Sequence, residues 1–270
     1  MTELPKTKKL DLERSGAWLT IWFNSPENRN ALSTELTSEL TKTLELVKSD
    51  KSIRGITLRG RGGVFCAGGD LKSFSAGQNA SGDTRADFVK MNRGAGDLFD
   101  LVMSMPQLVI VLVEGAAIAG GLGLMCCADI IAVTEAAKFS LTETMIGIAP
   151  AQIAPIIVAR VGLPKARRLM LTGTRFTGSK TLEYGLSDYV VADAKGLKKV
   201  EDEIKTGLLK CAPGAIGITK EILMATPYLD REAQKNFAAQ KFADCITSEE
   251  GREGIASFIE KRKPKWAPES

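Results

Sequence analysis

The sequence predicts an α/β core followed by a helical C-terminal region. Up to about residue 163, strand-like apolar runs alternate with amphipathic segments. Two glycine-rich turns stand directly after strand-like runs. Beyond that point helical periodicity dominates, interrupted by one strand-like YVV. Strands separated by helical segments imply βαβ units, hence parallel strands with both faces covered. The division expected is residues 1–200 as the core and 201–270 as the helical region.

The elements follow in order. WLTIWF (18–23) alternates as a strand and stops at the turn-like NSPENRN. Asn30 or Ser33 caps the next segment, in which Leu36, Leu40, Leu44 and Val47 share one helical face. IRGITLRG (53–60) is a second strand, and VFCAGGDLKSF resumes after GRGG with a glycine bend. SAGQNASGDTRAD is polar and is expected to be a mobile loop. MNRGAGDLFDLVMSM reads as a helix, then LVIVLV as a strand, LGLMCCAD as a short helix, and IIAV as a strand. KFSLTETMIGIAP is a strand end and loop.

Composition narrows the function. The 270 residues are 44% hydrophobic and 25% charged, with a net charge of +4, which describes an ordinary globular chain with a mild preference for anions. That charge is too small and the three Trp and three Tyr too few for a nucleic-acid face. Histidine is absent, so Ser-His and Cys-His pairs and histidine-ligated metals are excluded within this chain. The five cysteines have no paired metal spacing, and Cys126 and Cys127 sit in an apolar run as small buried hydrophobes. The start MTELPKTKKLDLERS lacks the apolar core of a secretory signal, and no apolar run reaches the roughly 20 residues of a membrane span. A reducing cytoplasm is the expected home.

CAGGD (66–70) and AIAGG (117–121) are the chemically suggestive turns. Glycines at the carboxyl ends of parallel strands let backbone N–H groups face a ligand. Gly120 and Gly121 open the helical LGLMCCA, where free N–H groups favour negative charge. Two such donors on one carbonyl oxygen make an oxyanion hole, worth about 3–4 kcal/mol per donor. The alternative is that both are tight turns serving close packing.

SPENRNALS, VFCAGGDLK, VEGAAIAGGLGLMCCADI, KFSLTETMIGIAPA, LTGTRFTGSKTLEYGLSDYVV and EEGREGIASFIEKRKPKW occur in this order over residues 10–266. Together they resemble the enoyl-CoA hydratase/isomerase family, the crotonases. The resemblance implies a crotonase fold of repeated ββα units with a helical C-terminal region, assembled as a homotrimer or dimer of trimers. It implies an acyl-CoA thioester as ligand, with no separate cofactor and no metal, since coenzyme A is part of the substrate. The thioester oxygen would be held by the N–H groups of Gly69 and Gly120, and Glu143 in SLTET matches the family's acid/base glutamate. Glu114 and Glu135 are read as structural.

The chain also departs from the pattern. Two-glutamate hydratases of the family carry a second Glu three residues past the oxyanion glycine, and here that position is Gly123. Single-glutamate isomerases of the family shuttle a proton along a 3-enoyl chain, so isomerisation is the alternative to hydration; a non-catalytic CoA-binding member is a second alternative. The stretch TETMIGIAPAQIAPIIVARVG resembles the methylglutaconyl-CoA and isohexenylglutaconyl-CoA hydratase-like branch, which often pairs Gly at this position with such a loop. That implies hydration of a 3-substituted glutaconyl thioester, as in leucine or isoprenoid breakdown. Gly123 is expected to leave space beside Cβ for the branch. Gln152 either orients the water or caps the next helix. For the distal carboxylate the sequence identifies no partner, and Arg160 and Lys165 are named only as guesses.

By the same resemblance, CoA meets Arg29 and Ala31 and the segment Ala67, Gly68, Gly69, Asp70, Leu71 and Lys72. Asp70 and Lys72 are read mainly as fixing that loop. Phe258 and Lys261 in the basic SFIEKRKPKW are expected to reach a neighbouring subunit's CoA.

Overall fold

The protein is described by a computed structural model covering residues 2–79 and 82–267. Ala80 and Ser81, from the stretch expected to be a mobile loop, lie outside the described residues. Most of the rest of that stretch is ordered as helix, because Asp70 and Asp83 each cap a helix through their carboxylates.

The chain opens with a hairpin, β1 (Leu10–Ser15) against β2 (Trp18–Phe23), with Leu10 opposite Phe23. β1 was not legible as a strand, since LDLERS alternates leucine with charge and lies at the sheet edge. Next come α1 (Thr34–Val47), β3 (Gly55–Gly60), α2 (Leu71–Gln78), α3 (Thr84–Met103) and β4 (Leu108–Val113). Ser33 caps α1, its Oγ accepting from the Leu36 N–H at 3.3 Å. Two ββα passages follow: β5 (Ala116–Ile118) and α4 (Gly120–Cys126) after β4, then β6 (Ile130–Thr134), β7 (Lys138–Ser140) and α5 (Ile153–Val161). The chain continues through α6 (Leu163–Thr172), β8 (Phe176–Thr177), α7 (Thr181–Tyr184), β9 (Tyr189–Val191) and α8 (Ala194–Leu208). It finishes with α9 (Pro213–Ala225), α10 (Arg231–Thr247) and α11 (Glu249–Ile259).

The main sheet has the order β1-β2-β3-β4-β6-β9, parallel from β2 onward; β5, β7 and β8 form a second, smaller sheet. Alternation along β4 separates the two faces. Val109, Val111 and Val113 join Leu36, Leu40, Leu44, Leu98, Phe99 and Val102 in the larger core. Ile110 and Leu112 face Leu197, Val200 and Leu208 of α8. α8 therefore belongs to the sheet and runs across the boundary at residue 200. Burial pushes the thiols of Cys66 and Cys126 up to about 12, so both stay protonated as apolar filler.

Two cations tie the last helices to the sheet. Lys220 on α9 bonds Asp129 at 2.7 Å and the Gln107 carbonyl at 3.0 Å, and its burial holds its amine below the usual range. Arg54 donates to the carbonyls of Leu208, Cys211 and Trp266. The last three helices leave Leu223, Phe242, Phe258 and Ile259 exposed, and the turn between α9 and α10 leaves Tyr228 exposed.

Candidate active site

The two glycine turns are joined by backbone hydrogen bonds. Phe65 and Cys66 N–H groups donate to the Ala116 carbonyl at 3.0 and 3.2 Å, and Ile118 N–H donates to the Cys66 carbonyl at 3.0 Å. On the other side, Ala67 N–H donates to the Arg29 carbonyl at 3.0 Å and Leu32 N–H to that of Gly68 at 2.8 Å. The RNAL stretch, CAGGD and AIAGG thus lie side by side. Gly68 has φ +96°, and a Cβ there would stand 2.9 Å from the Ile118 carbonyl oxygen, so only glycine fits without strain.

Ala119 takes an unusual conformation, φ +51° and ψ −125°, of a kind that costs about 1–3 kcal/mol and persists when its surroundings over-determine it. Its N–H donates to the Ser140 carbonyl at 2.8 Å, and its own carbonyl starts α4 by accepting from Leu122 and Gly123. The next N–H, that of Gly120, is left at the helix start with no acceptor among the described residues, and the Gly69 N–H likewise has none. A Cβ on Gly120 would stand 3.8 Å from the Gly69 nitrogen, so the two donors are neighbours.

Glu143 enters from β7 through the 3-10 turn Glu143–Ile146, closed by Ile148 N–H on its carbonyl at 3.1 Å. The residue is 8% exposed, and its Oε2 is buried without a hydrogen-bond partner. Burial raises its carboxyl above the ordinary range. An unpartnered buried carboxylate oxygen is costly unless something outside the chain meets it.

One cavity of about 730 Å³ gathers these groups, a size usual for ligand sites. Ala67, Gly69, Asp70, Leu71, Gly120, Glu143 and Gln152 all line it; Arg29, Ala31, Gly68, Lys72, Gly123, Phe258 and Lys261 do not. Asp70 caps α2 by accepting from Lys72 N–H at 3.1 Å and Ser73 Oγ at 2.7 Å, the loop-fixing role read from sequence. The Ser73 bond holds its carboxyl below the usual range. Phe258 is 86% exposed on α11.

Three expectations change. Gly123 leaves no space: a Cβ there would stand 2.1 Å from Ile153 Cγ2, so that isoleucine fills the position. Gln152 makes no side-chain cap on α5; its Nε2 donates to Asn92 Oδ1 at 3.0 Å. Arg160 pairs with Asp188 at 2.7 Å, and Lys165 donates to the Glu183 and Tyr184 carbonyls, so neither serves the cavity. Glu114 pairs with Arg59, as a structural residue would.

Sequence reasoning missed Asn92, which lines the cavity from α3. The available signal was its spacing: Asn92 and Gly96 are four residues apart, hence on one helical face. It also missed the stripe Asp87, Lys90, Met91, Gly94, Ala95 and Leu98, which forms the α3 wall at helical spacing.

Two backbone donors and one buried carboxylate lining the same cavity are an arrangement able to polarise a carbonyl and to move a proton. The sequence profile of the enoyl-CoA hydratase/isomerase family matches residues 13–269, and the chain belongs to that family. Its structure is similar to that of Pseudomonas aeruginosa AtuE, with a TM-score of 0.92 and 41% identity, covering 97% of this chain and all of that one. It is 31% identical to the enoyl-CoA hydratase EchA19 of Mycobacterium tuberculosis, over 94% of this chain and 95% of that protein. It is 30% identical to the mevalonyl-coenzyme A hydratase sidH of Aspergillus fumigatus, over 93% and 91% respectively. Among the described residues no helix is long and apolar enough to cross a membrane.

Proposed function

We propose that the protein hydrates a 3-branched enoyl-CoA, a 3-substituted glutaconyl thioester of the methylglutaconyl or isohexenylglutaconyl kind. The observation that carries this reading is the Glu143 carboxylate, buried with Oε2 unpartnered, in the same cavity as the Gly69 and Gly120 donors. The loop resemblance after Glu143 supports the branch, as does likeness to a relative named for mevalonyl-CoA, itself a 3-branched acyl thioester.

In this reaction the thioester oxygen accepts both backbone N–H groups, which draws electron density from C3. Glu143 takes a proton from water as the oxygen bonds to C3, and the C2=C3 π electrons pass to the enolate. C2 then takes the proton back from Glu143. One water is consumed, one O–H bond and the π bond break, and one C–O and one C–H bond form. Both proton steps need only one carboxylate, which suits a chain with Gly123 where the family's second glutamate stands. CoA runs along Arg29, Ala31 and Ala67 to Lys72, and the exposed apolar residues of the last three helices support a trimer or dimer of trimers in which Phe258 and Lys261 approach a neighbour's CoA. The proposed setting is cytoplasmic, in leucine or isoprenoid breakdown.

The single carboxylate also supports a 3-enoyl to 2-enoyl isomerase, so the test separates the two. Loss of enoyl absorbance on 3-methylglutaconyl-CoA supports hydration. Formation of conjugated enoyl-CoA from a 3-enoyl thioester, without hydration, overturns it, as does CoA binding with no turnover.

A further inference from the structure

The end of α6 is tied to the segment that carries Glu143. Carbonyls at a helix C-terminus have no partner within the helix and take donors from elsewhere. Here two donors come from hydroxyls on either side of Glu143. Thr144 Oγ1 donates to the Met170 carbonyl at 3.0 Å, and the buried Ser140 Oγ donates to the Gly173 carbonyl at 2.9 Å. Gly173 ends α6 in the left-handed region, with φ +57°, and Met145 lies over it: a Cβ there would stand 2.8 Å from Met145 Cγ and Sδ. The other bonds of the Glu143 turn are internal. Met145 N–H donates to the Thr142 carbonyl, Gly147 N–H to that of Thr144 and Ile148 N–H to that of Glu143. They shape the turn without fixing it to a neighbouring element.

Ser140 reaches the other half of the site as well. Its carbonyl accepts the Ala119 N–H at 2.8 Å, one residue before the Gly120 donor. The end of α6 therefore bears on both the donor side and the carboxylate side. Neither Ser140 nor Thr144 lines the cavity, so neither meets the ligand. Misplacing reacting groups by about 1 Å can cost about 10²-fold in rate. We infer, given Glu143 as the acid/base group of the proposed reaction, that Ser140 and Thr144 are positioning residues whose bonds to the end of α6 hold the Glu143 carboxylate in place against the Gly69 and Gly120 donors.

The test measures kcat and KM with 3-methylglutaconyl-CoA and with a 3-enoyl thioester, beside the melting temperature. Thr144→Val keeps the branched shape and removes the hydroxyl; kcat is expected to fall about tenfold, with KM within about threefold of wild type. Thr144→Ser keeps the hydroxyl and is expected to restore kcat to within about threefold. Ser140→Ala is expected to lower kcat about tenfold or more, and the melting temperature with it, because the Gly173 carbonyl loses its donor. In a Glu143→Gln background, Thr144→Val is expected to change the residual kcat by less than about twofold, since it acts through the missing carboxylate. Wild-type kcat in Thr144→Val, equal losses in the Val and Ser variants, a loss confined to KM, or an undiminished loss in the Glu143→Gln background overturns the positioning role. Turnover of the 3-enoyl thioester alone overturns hydration, and the same comparisons on that substrate then decide the positioning role. Turnover of neither thioester overturns both.

Discussion

Ile153 Cγ2 stands 2.1 Å from where a side chain on Gly123 would begin. The residue that opens α5 thus fills the place next to α4 that a larger residue at 123 would need. Gly123→Ala is expected to destabilise the protein by about 1–3 kcal/mol, the usual cost of overpacking. Ile153→Ala in the same chain is expected to recover part of that loss. Thermal melts of the two single variants and the double variant measure this coupling, and additive losses would contradict it.

The carboxyl of Glu143 is raised by burial, so the pH dependence of activity has a definite sign. As a base it works only when ionised. The acid limb of kcat/KM is therefore expected above the ordinary carboxylate value of 4.5, with activity rising as pH rises through it. A limb at or below that value would show that another group sets the profile.

Stability carries the same shift with the opposite consequence. Between the ordinary 4.5 and the raised native value, the folded state binds more protons than the unfolded one at this position. Stability is lost as pH rises across that window and is not regained above it. Glu143→Gln is free of this loss, so its melting temperature is expected to gain on wild type as pH increases toward neutrality. A difference that stays constant with pH would contradict the burial argument.

Gly68 tests the geometry of the paired turns. Gly68→Ala places a Cβ 2.9 Å from the Ile118 carbonyl oxygen at a backbone angle that L-residues avoid. A stability loss of about 1–3 kcal/mol is expected. A fall in kcat of about tenfold or more is also expected, because the neighbouring Gly69 N–H would be displaced from its aim. Unchanged kinetics in a folded variant would remove Gly69 from the site.

The alternation of strands and helices was legible because periodicities of 2 and 3.6 are strong where one face is buried, as in WLTIWF and in Leu36, Leu40, Leu44 and Val47. LDLERS was not, since an edge strand with one face in solvent can carry charge. The glycine turns and Glu143 were marked by motif, and the structure brings them to one cavity. The filling of the Gly123 position and the meeting of Asn92 with Gln152 depend on contacts across 30 and 60 residues. No local pattern announces such meetings, although the Asn92 and Gly96 spacing showed that the two would share a face.

The central claim is that Glu143 carries the proton while Gly69 and Gly120 hold the oxygen. The most direct test is turnover of 3-methylglutaconyl-CoA by Glu143→Gln, alongside the affinity of that variant for the product thioester. A loss of about 10²–10⁴ in kcat, with affinity within about threefold of wild type, is the result this account predicts. Turnover within tenfold of wild type would contradict it.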